Sequence, residues 1–599
     1  MSITTEKPGK KKAPGAPAVQ PQKTHVDGVR YRWLLPAVDE ERVRSIAYKH
    51  SLAFPIAYVL ASRGYLADDA ISSFLFTSYE QDVPHASLFK GMKIAAERIL
   101  RAIKYKEKIL IFGDYDVDGV TSASMALICL LPLGANINFY LPNRETDGYG
   151  LTPKAVKRAH ANGYSLIITV DNGTTAFPAA EEAQNLGVDL IITDHHRPHD
   201  HVPPALCIIN PHQNDCPYPF KHLAGVGVTF KLMCMIYELS GISRMPEKAY
   251  ELLLLGTVAD VVPLLGENRY WVRHGLHTIN HFRSNAMRVL AQNSNLTKEE
   301  YSSLDIGFMI APQINALGRL SDARDAVKFM ISSEFSDVEQ VGAVLKEINE
   351  ERKRVDASIY MQIENRILRK DIDLENEGVI LTADDSWPAG VIGLVAGKLM
   401  HSYGRPTLLL HLSKDGTAKG SCRSIPEFDM FDALTACNDL LIQFGGHSFA
   451  AGLKLKQEHI PALKARLNER LALAVPRENL VPKIRIDAPM QLPEITQKLM
   501  FAHDQLEPFG NQNAQPLFMI RGVSLVKPPQ VLKDKHVKCM VFADGIIKPV
   551  IFFNRPDLIP LLHNIQDRPF TLAAHVMKNE WGGAVKIELQ GIDIAIDEA

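Results

Sequence analysis

The sequence predicts an α/β protein: a mostly parallel sheet, a long connecting helix, a second α/β domain and a C-terminal β-barrel. Three observations carry that prediction. From about residue 108, strand, turn and helix patterns alternate. Residues 337–370 form a charged helical stretch with no Pro and one Gly. Beyond about 480 the texture changes to short strands parted by Pro, Gly and Asn. Strands that alternate with helices need crossover connections, and those build parallel sheets.

The elements follow in order. Residues 1–28 are rich in Pro, Gly and Lys and nearly free of large apolar side chains, which predicts a disordered basic tail. Its KKK at 10–12 either touches phosphate or keeps the chain in solution. The first α/β domain is expected over 29–335. KILIF (108–112) reads as a buried strand, followed by DYDVDG and the helical TSASMALICLLPLG. NINFYLP (136–142), SLIITV (165–170), VDLIIT (188–193) and CIIN (207–210) read as further strands. LTPKAVKRAHANG is a helix with Pro153 near its start and Gly163 at its end. The connector, 336–372, would span about 50 Å at 1.5 Å per residue if continuous. The second α/β domain is expected over 373–478, opening on GVILTA (378–383), and a small barrel of the OB type over 479–599.

Size and composition set the limits. A chain of 599 residues is too long for one core. Its 46% hydrophobic and 22% charged residues are ordinary for a globular protein. No apolar run reaches the ~18 residues of a membrane helix, and the N-terminus lacks a signal peptide's apolar core. Seven cysteines without a C-x-x-C pair argue against a disulfide framework or a zinc ribbon, so a reduced, cytoplasmic protein is expected. A net charge of −2 gives no global sign of a polyanion partner.

The acids are the chemical signal. Asp114, Asp116 and Asp118 alternate along DYDVDG. Two carboxylates ~6 Å apart repel by about 3 kcal/mol at an effective dielectric of 20, a cost a cation would reverse. A calcium loop of the EF-hand kind fits the first six positions. It needs a bidentate Glu at position twelve, where Met125 stands, and a helix before it, where KILIF stands. The alternative is a site beyond the carboxyl ends of parallel strands, where open α/β folds bind ligands. Asp171 follows the strand 165–170, Asp194-His195-His196 follows 188–193, and GTVADVVPL adds Asp260. Each acid alone could be a turn residue or a helix cap. Together, at successive strand ends, they point to hard cations such as Mg²⁺ or Mn²⁺ rather than zinc. So many acids suit two ions ~3.5–4 Å apart, an arrangement that hydrolyses phosphoesters or phosphoanhydrides.

GDYDVDG, VDNG, TDHH and TVADVVPL resemble the four core motifs of the DHH phosphoesterases. NALGRL (315–320), GVIGLVAGKL (390–399), GSCRS (420–424) and GGHSFAAG (445–452) are similar to further motifs of one branch, the single-strand-specific 5′→3′ DNA exonucleases. The resemblance runs from about residue 30 to the end, with a DHH domain, a DHH-associated domain and an OB-fold in that order. It implies Mn²⁺ or Mg²⁺, two ions, held by Asp114, Asp116 and Asp171 on one side. Asp118, Asp171, His195 and Asp260 would hold the second, with Asp171 bridging. It implies that His196 lies beside the scissile phosphate and that Asp194 orients an imidazole. The product would be a 5′-mononucleotide.

For the substrate, the resemblance implies that Arg144, Ser421 and Arg423 grip a terminal 5′-phosphate, a task that suits a guanidinium fork and a hydroxyl. Asn315 and Arg319 would contact the DNA backbone and His447 a phosphate oxygen. A surface ion pair is the alternative for Arg144, and a buried structural histidine for His447. GVGVTF (225–230) looks like half a dinucleotide fingerprint but lacks the third Gly and a preceding strand. In the barrel, Lys527, Lys533, Lys535, Lys538 and Lys548 accompany Phe542, Phe552, Phe553 and Trp581, most of these aromatics being expected in the core. One departure stands out: the family's Pro-Phe-Gly-x-Gly-Asn segment reads PFGNQN (508–513) here, with Gln512 in place of the second Gly. The resemblance also implies a role in DNA repair and recombination, including mismatch repair, beside a single-strand-binding protein and a RecQ-type helicase. Two other readings stand beside it: a DHH phosphodiesterase for short oligonucleotides or cyclic dinucleotides, and a non-catalytic single-strand-binding scaffold.

Overall fold

The computed structural model describes residues 24–143, 150–320, 323–565, 568–581 and 584–596. These form two compact units. The larger holds Glu40–Pro482 and Glu494–Pro516; the smaller holds the chain up to Asp39, Lys483–Pro493 and the chain from Leu517.

The larger unit is built on a five-stranded, all-parallel sheet. Its spatial order is Asn136–Tyr140, Lys108–Phe112, Leu166–Val170, Asp189–Thr193, Cys207–Ile209. The inner strands are near-continuous runs of Ile, Leu and Val, as strands covered on both faces must be. Alternation sorts their side chains. Ile109, Ile111 and Ile168 pack with the helices Met92–Lys104, Val117–Leu130 and Gly225–Leu239. Leu110, Phe112 and Ile167 pack with Pro153–Ala161 and Phe177–Leu186 on the other face. The chain leaves Lys108–Phe112 toward one sheet edge and then returns to pair Leu166–Val170 on its other side. That reversal is the switch point at which such sheets bind ligands, and DYDVDG and Asp171 sit at its carboxyl end.

The helix Phe335–Leu368 is continuous over 34 residues. Its first half gives Val338 and Leu345 to the core beneath the parallel sheet, and its second half gives Ile359 and Ile363 to a core around Trp387 and Leu399. One rigid rod thus has a place in two cores. The second sheet has the order Leu441–His447, Ala450–Lys456, Thr417–Arg423, Thr407–Leu412, Ile380–Asp384. Only its last pair is parallel.

In the smaller unit, Phe518–Leu525 pairs Phe570–Trp581, which pairs Ala584–Ala595, then Ile546–Phe552, then His536–Ala543. Ser524 and Leu525 pair back to Phe542 and Val541, which returns the sheet on itself. Of these five strands taken in chain order, the third, Ile546–Phe552, and the fifth, Ala584–Ala595, pair in parallel, with the helix Leu558–Ile565 between the third and fourth, as in an OB-fold. Phe552 is buried at the end of its strand, whereas Phe542 on the neighbouring strand and Phe553, just past the strand end, are each 43% exposed. The expectation that most of these aromatics are core therefore fails for two of them. The side chain of Trp581 lies outside the described ones.

Two segments differ from the sequence-based boundaries. The tail expected to reach residue 28 gives way to a strand at His25–Asp27. That strand pairs Arg32–Leu34, which pairs Lys483–Arg485, so the N-terminal strands belong to the barrel unit. Buried Asp593 fixes them, accepting from the Tyr31 backbone N–H and from Trp33 Nε1 at 3.0 Å each. Conversely, 494–516, which carries PFGNQN, belongs to the larger unit. Residues 1–23, with KKK, lie outside the described ones. Among the described residues, no helix is long and apolar enough to cross a membrane.

Candidate active site

DYDVDG is the turn between a buried strand and a buried helix. Asp116 caps the helix Val117–Leu130, its carboxylate accepting from the Gly119 N–H at 3.0 Å. Asp118 lies in the first turn, 1% exposed. Gly119 allows the tightness of the loop, since a Cβ there would stand 2.5 Å from the Asp114 carbonyl oxygen. No helix precedes the loop, which removes the EF-hand reading.

Asp171 follows the neighbouring strand with φ 63°, a left-handed conformation uncommon outside Gly and concentrated at functional sites. His195 Nε2 then faces three carboxylates: Asp171 Oδ1 at 3.2 Å, Asp260 Oδ2 at 3.6 Å and Asp118 Oδ2 at 3.8 Å. Asp260 arrives from the C-terminal end of the helix Glu247–Ala259. Three overlapping groups could each hold an ion: Asp114, Asp116 and Asp171; Asp118, His195 and Asp260; Asp171, His195 and His196. The third places His196 within reach of an ion, where the resemblance implied a phosphate contact.

The electrostatics are unbalanced. Among the described residues, the cationic partners of these carboxylates are histidines alone. Burial, and then the charge of Asp116, push Asp114 and Asp118 up to about 7. Asp171 and Asp260 are raised well above the usual range by burial and then by Asp118. Burial, then the neighbouring His196 cation, push His195 down to about 4, which leaves it neutral as a metal ligand must be. His196 goes the other way. Burial opposes its charge, but the hydrogen bond and charge of Asp194 push it up to about 9. Burial also works against the Asp194 anion, yet the bond and charge of His196 hold it down at about 2. The Asp194–His196 contact is 2.8 Å, to Nδ1.

The donor set fits a pair of hard divalent cations. Asp171 Oδ1 and His195 Nε2 are fully buried and make no hydrogen bond. Buried polar atoms are otherwise nearly always satisfied, and a cation would satisfy both.

Sequence reasoning missed the frame around these groups. GVGVTF is the start of the helix Gly225–Leu239, and its Gly225 and Val226 N–H groups donate to Asp118 at 2.6 and 2.8 Å. A Cβ on Gly225 would stand 2.5 Å from Asp171 Oδ1, so only glycine fits. Thr174 N–H donates to Asp194, and Asn210 Nδ2 holds both Thr174 and the His196 carbonyl. GVGVTF carried a signal, two glycines before an apolar helix, but its target is a carboxylate.

The other site residues divide. Asn315 Oδ1 accepts from Val117 N–H at 3.2 Å, which ties it to the acid loop. Arg423 Nη1 donates to Ser421 Oγ at 3.3 Å on the strand Thr417–Arg423. Gly393 leaves the space beside them open, since a Cβ there would stand 2.8 Å from Ser421 Oγ. Among the described residues no carboxylate pairs with Arg423, whose half-buried guanidinium suits an anion. His447 ends an exposed strand edge, which removes the buried-histidine alternative. Arg144 lies outside the described residues, and the side chain of Arg319 outside the described side chains.

Comparison with known proteins agrees with this architecture. Residues 108–257 match the N-terminal domain of the DHH family, 376–473 the DHHA1 domain and 486–593 the RecJ OB domain. The chain is 34% identical to the single-stranded-DNA-specific exonuclease RecJ of Bacillus subtilis, over 95% of this chain and 71% of that one. It is 33% identical to the Escherichia coli protein of the same name, over 75% of this chain and 81% of that one. The crystal structure of RecJ with Mn²⁺ from Thermus thermophilus superposes with a TM-score of 0.79 at 26% identity, covering 95% of this chain and 80% of that one. The ordered acids, the three matched domains and these relatives together make the chain a member of the DHH family, in its RecJ branch.

Proposed function

We propose that this chain is a metal-dependent exonuclease that degrades single-stranded DNA 5′→3′ to 5′-mononucleotides. The observation that carries the reading is the acid cluster at the sheet's switch point, whose carboxylates have, among the described residues, only histidines as cationic partners. Relatives named for single-stranded-DNA-specific exonuclease activity, and a Mn²⁺-bound neighbour, support it. Mn²⁺ or Mg²⁺, when bound, supplies Lewis acidity and an acidified water. Asp114, Asp116 and Asp171 would hold one ion, and Asp118, Asp171, His195 and Asp260 the other. His196, kept protonated by Asp194, would donate to a non-bridging phosphate oxygen as charge develops there. Ser421 and Arg423, with Arg144, would hold the terminal phosphate, and Arg319 and His447 the backbone. Asn315, bonded to the acid loop, would contact the DNA backbone as well.

Digestion of end-labelled single strands with Mn²⁺ or Mg²⁺, with and without a 5′-phosphate, tests activity and polarity together. Release of labelled mononucleotide from the 5′ end is expected. Cleavage of dinucleotides or cyclic dinucleotides with long strands left intact would favour the phosphodiesterase reading. Strand binding without metal-dependent turnover would favour the scaffold. A role in repair and recombination beside a single-strand-binding protein and a RecQ-type helicase rests on the family resemblance, and co-purification of each with the full chain is its test. The seven unpaired cysteines support a reduced, cytoplasmic setting.

A further inference from the structure

The acid cluster has one member on an irregular support. Asp260 ends its helix, and the next residue, Val261, has φ 58°. A branched side chain in the left-handed region is a true outlier and persists only where neighbours impose it. The neighbour here is PFGNQN, some 250 residues further along the chain. Asn511 Nδ2 donates to the Val261 carbonyl at 2.6 Å, and the Asn511 carbonyl accepts from the Leu264 N–H at 3.0 Å. One residue therefore brackets the turn that follows Asp260. Gly510 makes the approach possible, since a Cβ there would stand 2.6 Å from Leu264 Cδ1.

The brace is itself anchored. Arg269, fully buried, donates to the carbonyls of Phe74, Gln505 and Leu506, and Arg273 to those of Leu75, Gln505 and Glu507. Asn513 Nδ2 donates to Leu506 and Pro508, while its oxygen accepts from Arg63 at 2.8 Å. Two guanidinium groups turned entirely onto main-chain carbonyls fix where the loop's tip stands. Gln512 keeps a left-handed φ of 59°, so the departure from the family's Gly leaves the loop in the shape a glycine would take.

We propose that Asn511 is a positioning residue for the second metal site: it holds Val261 in its left-handed conformation and so fixes where the Asp260 carboxylate points. The segment that supplies it is embedded in the catalytic unit, although both of its ends continue into the barrel unit. The inference rests on the reading of Asp260 as a metal ligand. Without the Asn511 side-chain bond, Val261 relaxes toward negative φ, the following peptide turns, and the carboxylate loses its alignment with His195; the main-chain bond from Leu264 N–H remains in Asn511→Ala.

The test is Mn²⁺ binding by the full chain, counted from the loss of the free-ion electron paramagnetic resonance signal, beside the Mn²⁺ dependence of single-strand digestion. The variants are Asn511→Ala, Asp260→Asn and Asn511→Ala combined with Val261→Gly. Asn511→Ala is expected to keep one tight ion and weaken the other about tenfold, the size seen when a group behind a metal ligand is removed. Its digestion rate should recover at high Mn²⁺. The double variant should regain part of the affinity, because glycine adopts the left-handed region without a brace. Two ions bound by Asn511→Ala as tightly as by the unaltered chain would overturn the proposal. So would a loss of thermal stability in Asn511→Ala with unchanged Mn²⁺ affinity, which marks a structural contact only. If the unaltered chain binds a single ion, or Asp260→Asn binds two normally, the ligand assignment fails instead.

Discussion

The two ends of the central sheet carry acids in opposite company. At the amino end, Glu107 precedes one strand and Asp189 opens another, and Arg98 joins them: Nη2 meets Glu107 and Nε meets Asp189, each at 2.6 Å. Ser165, before a third strand, donates to Glu107 at 2.8 Å. At the carboxyl end, the acids of three strand termini and one helix end crowd together, and no Lys or Arg among the described residues answers them. The same sheet thus neutralises its charge where only the fold is at stake and leaves it unbalanced where chemistry is to happen. Perturbed, unpaired ionisable groups in a cleft mark function, whereas paired ones mark architecture.

Substitutions at the two ends should therefore behave as opposites. The largest effect is expected for Asp171→Ala, which removes the carboxylate proposed to bridge the two ions. Digestion should fall at least ~10³-fold, while the metal-free melting temperature holds or rises, because a buried like charge is gone. Turnover of end-labelled strands and melting in chelator check this; a large metal-free loss of stability would erase the contrast.

Adding Mn²⁺ to the unaltered chain should stabilise it by about 2.7 kcal/mol at a hundredfold excess over the dissociation constant. A thermal-shift titration should show that gain retained in Arg98→Ala and lost in Asp171→Ala. At the amino end, Arg98→Ala should cost about 2 kcal/mol, less than a fully buried pair because Asp189 is partly exposed. Denaturant unfolding measures it, and an accompanying change in Mn²⁺ dependence would show the two ends to be coupled.

Arg423→Ala tests the second sheet. Preference for 5′-phosphorylated over 5′-hydroxyl strands should fall about tenfold, as for loss of one charge-assisted bond. Competition between the two ends in one digest reads it directly. The smallest effect concerns acid. Burial raises the Glu107 carboxyl, but the bonds from Arg98 and Ser165 outweigh it and hold it below its usual range. Its stabilisation is therefore complete above the unfolded value and lost as pH falls through the lower, folded one. Glu107→Gln should flatten that part of the acid limb, by under ~1 kcal/mol.

Much of this was legible because buried parallel strands announce themselves. KILIF, SLIITV and VDLIIT are apolar on both faces, so their ends could be located, and the acids fell just past them. Asp260 was found from its motif. What could not be read depends on partners distant in sequence. Gly225 looks like a nucleotide-loop residue until the fold brings it to Asp171. The strands at 25–34 carry no mark that they pair with Lys483–Arg485. PFGNQN reads as a loop of the barrel because its neighbours in sequence are barrel strands. Phe542 and Phe553 are as apolar as core residues, and only strand alternation in one case and the turn after a strand in the other set them outward.

The brace on Val261 also has a consequence in time. A ribosome adds about 5–20 residues per second, and Asn511 follows Val261 by 250 residues. Roughly 12–50 s therefore separate the emergence of Asp260 from that of the residue that steadies it. During synthesis the main acid motifs are already present while the second ion's seat still lacks its support. A nascent chain of this enzyme should gain full metal affinity only after Asn511 has been made.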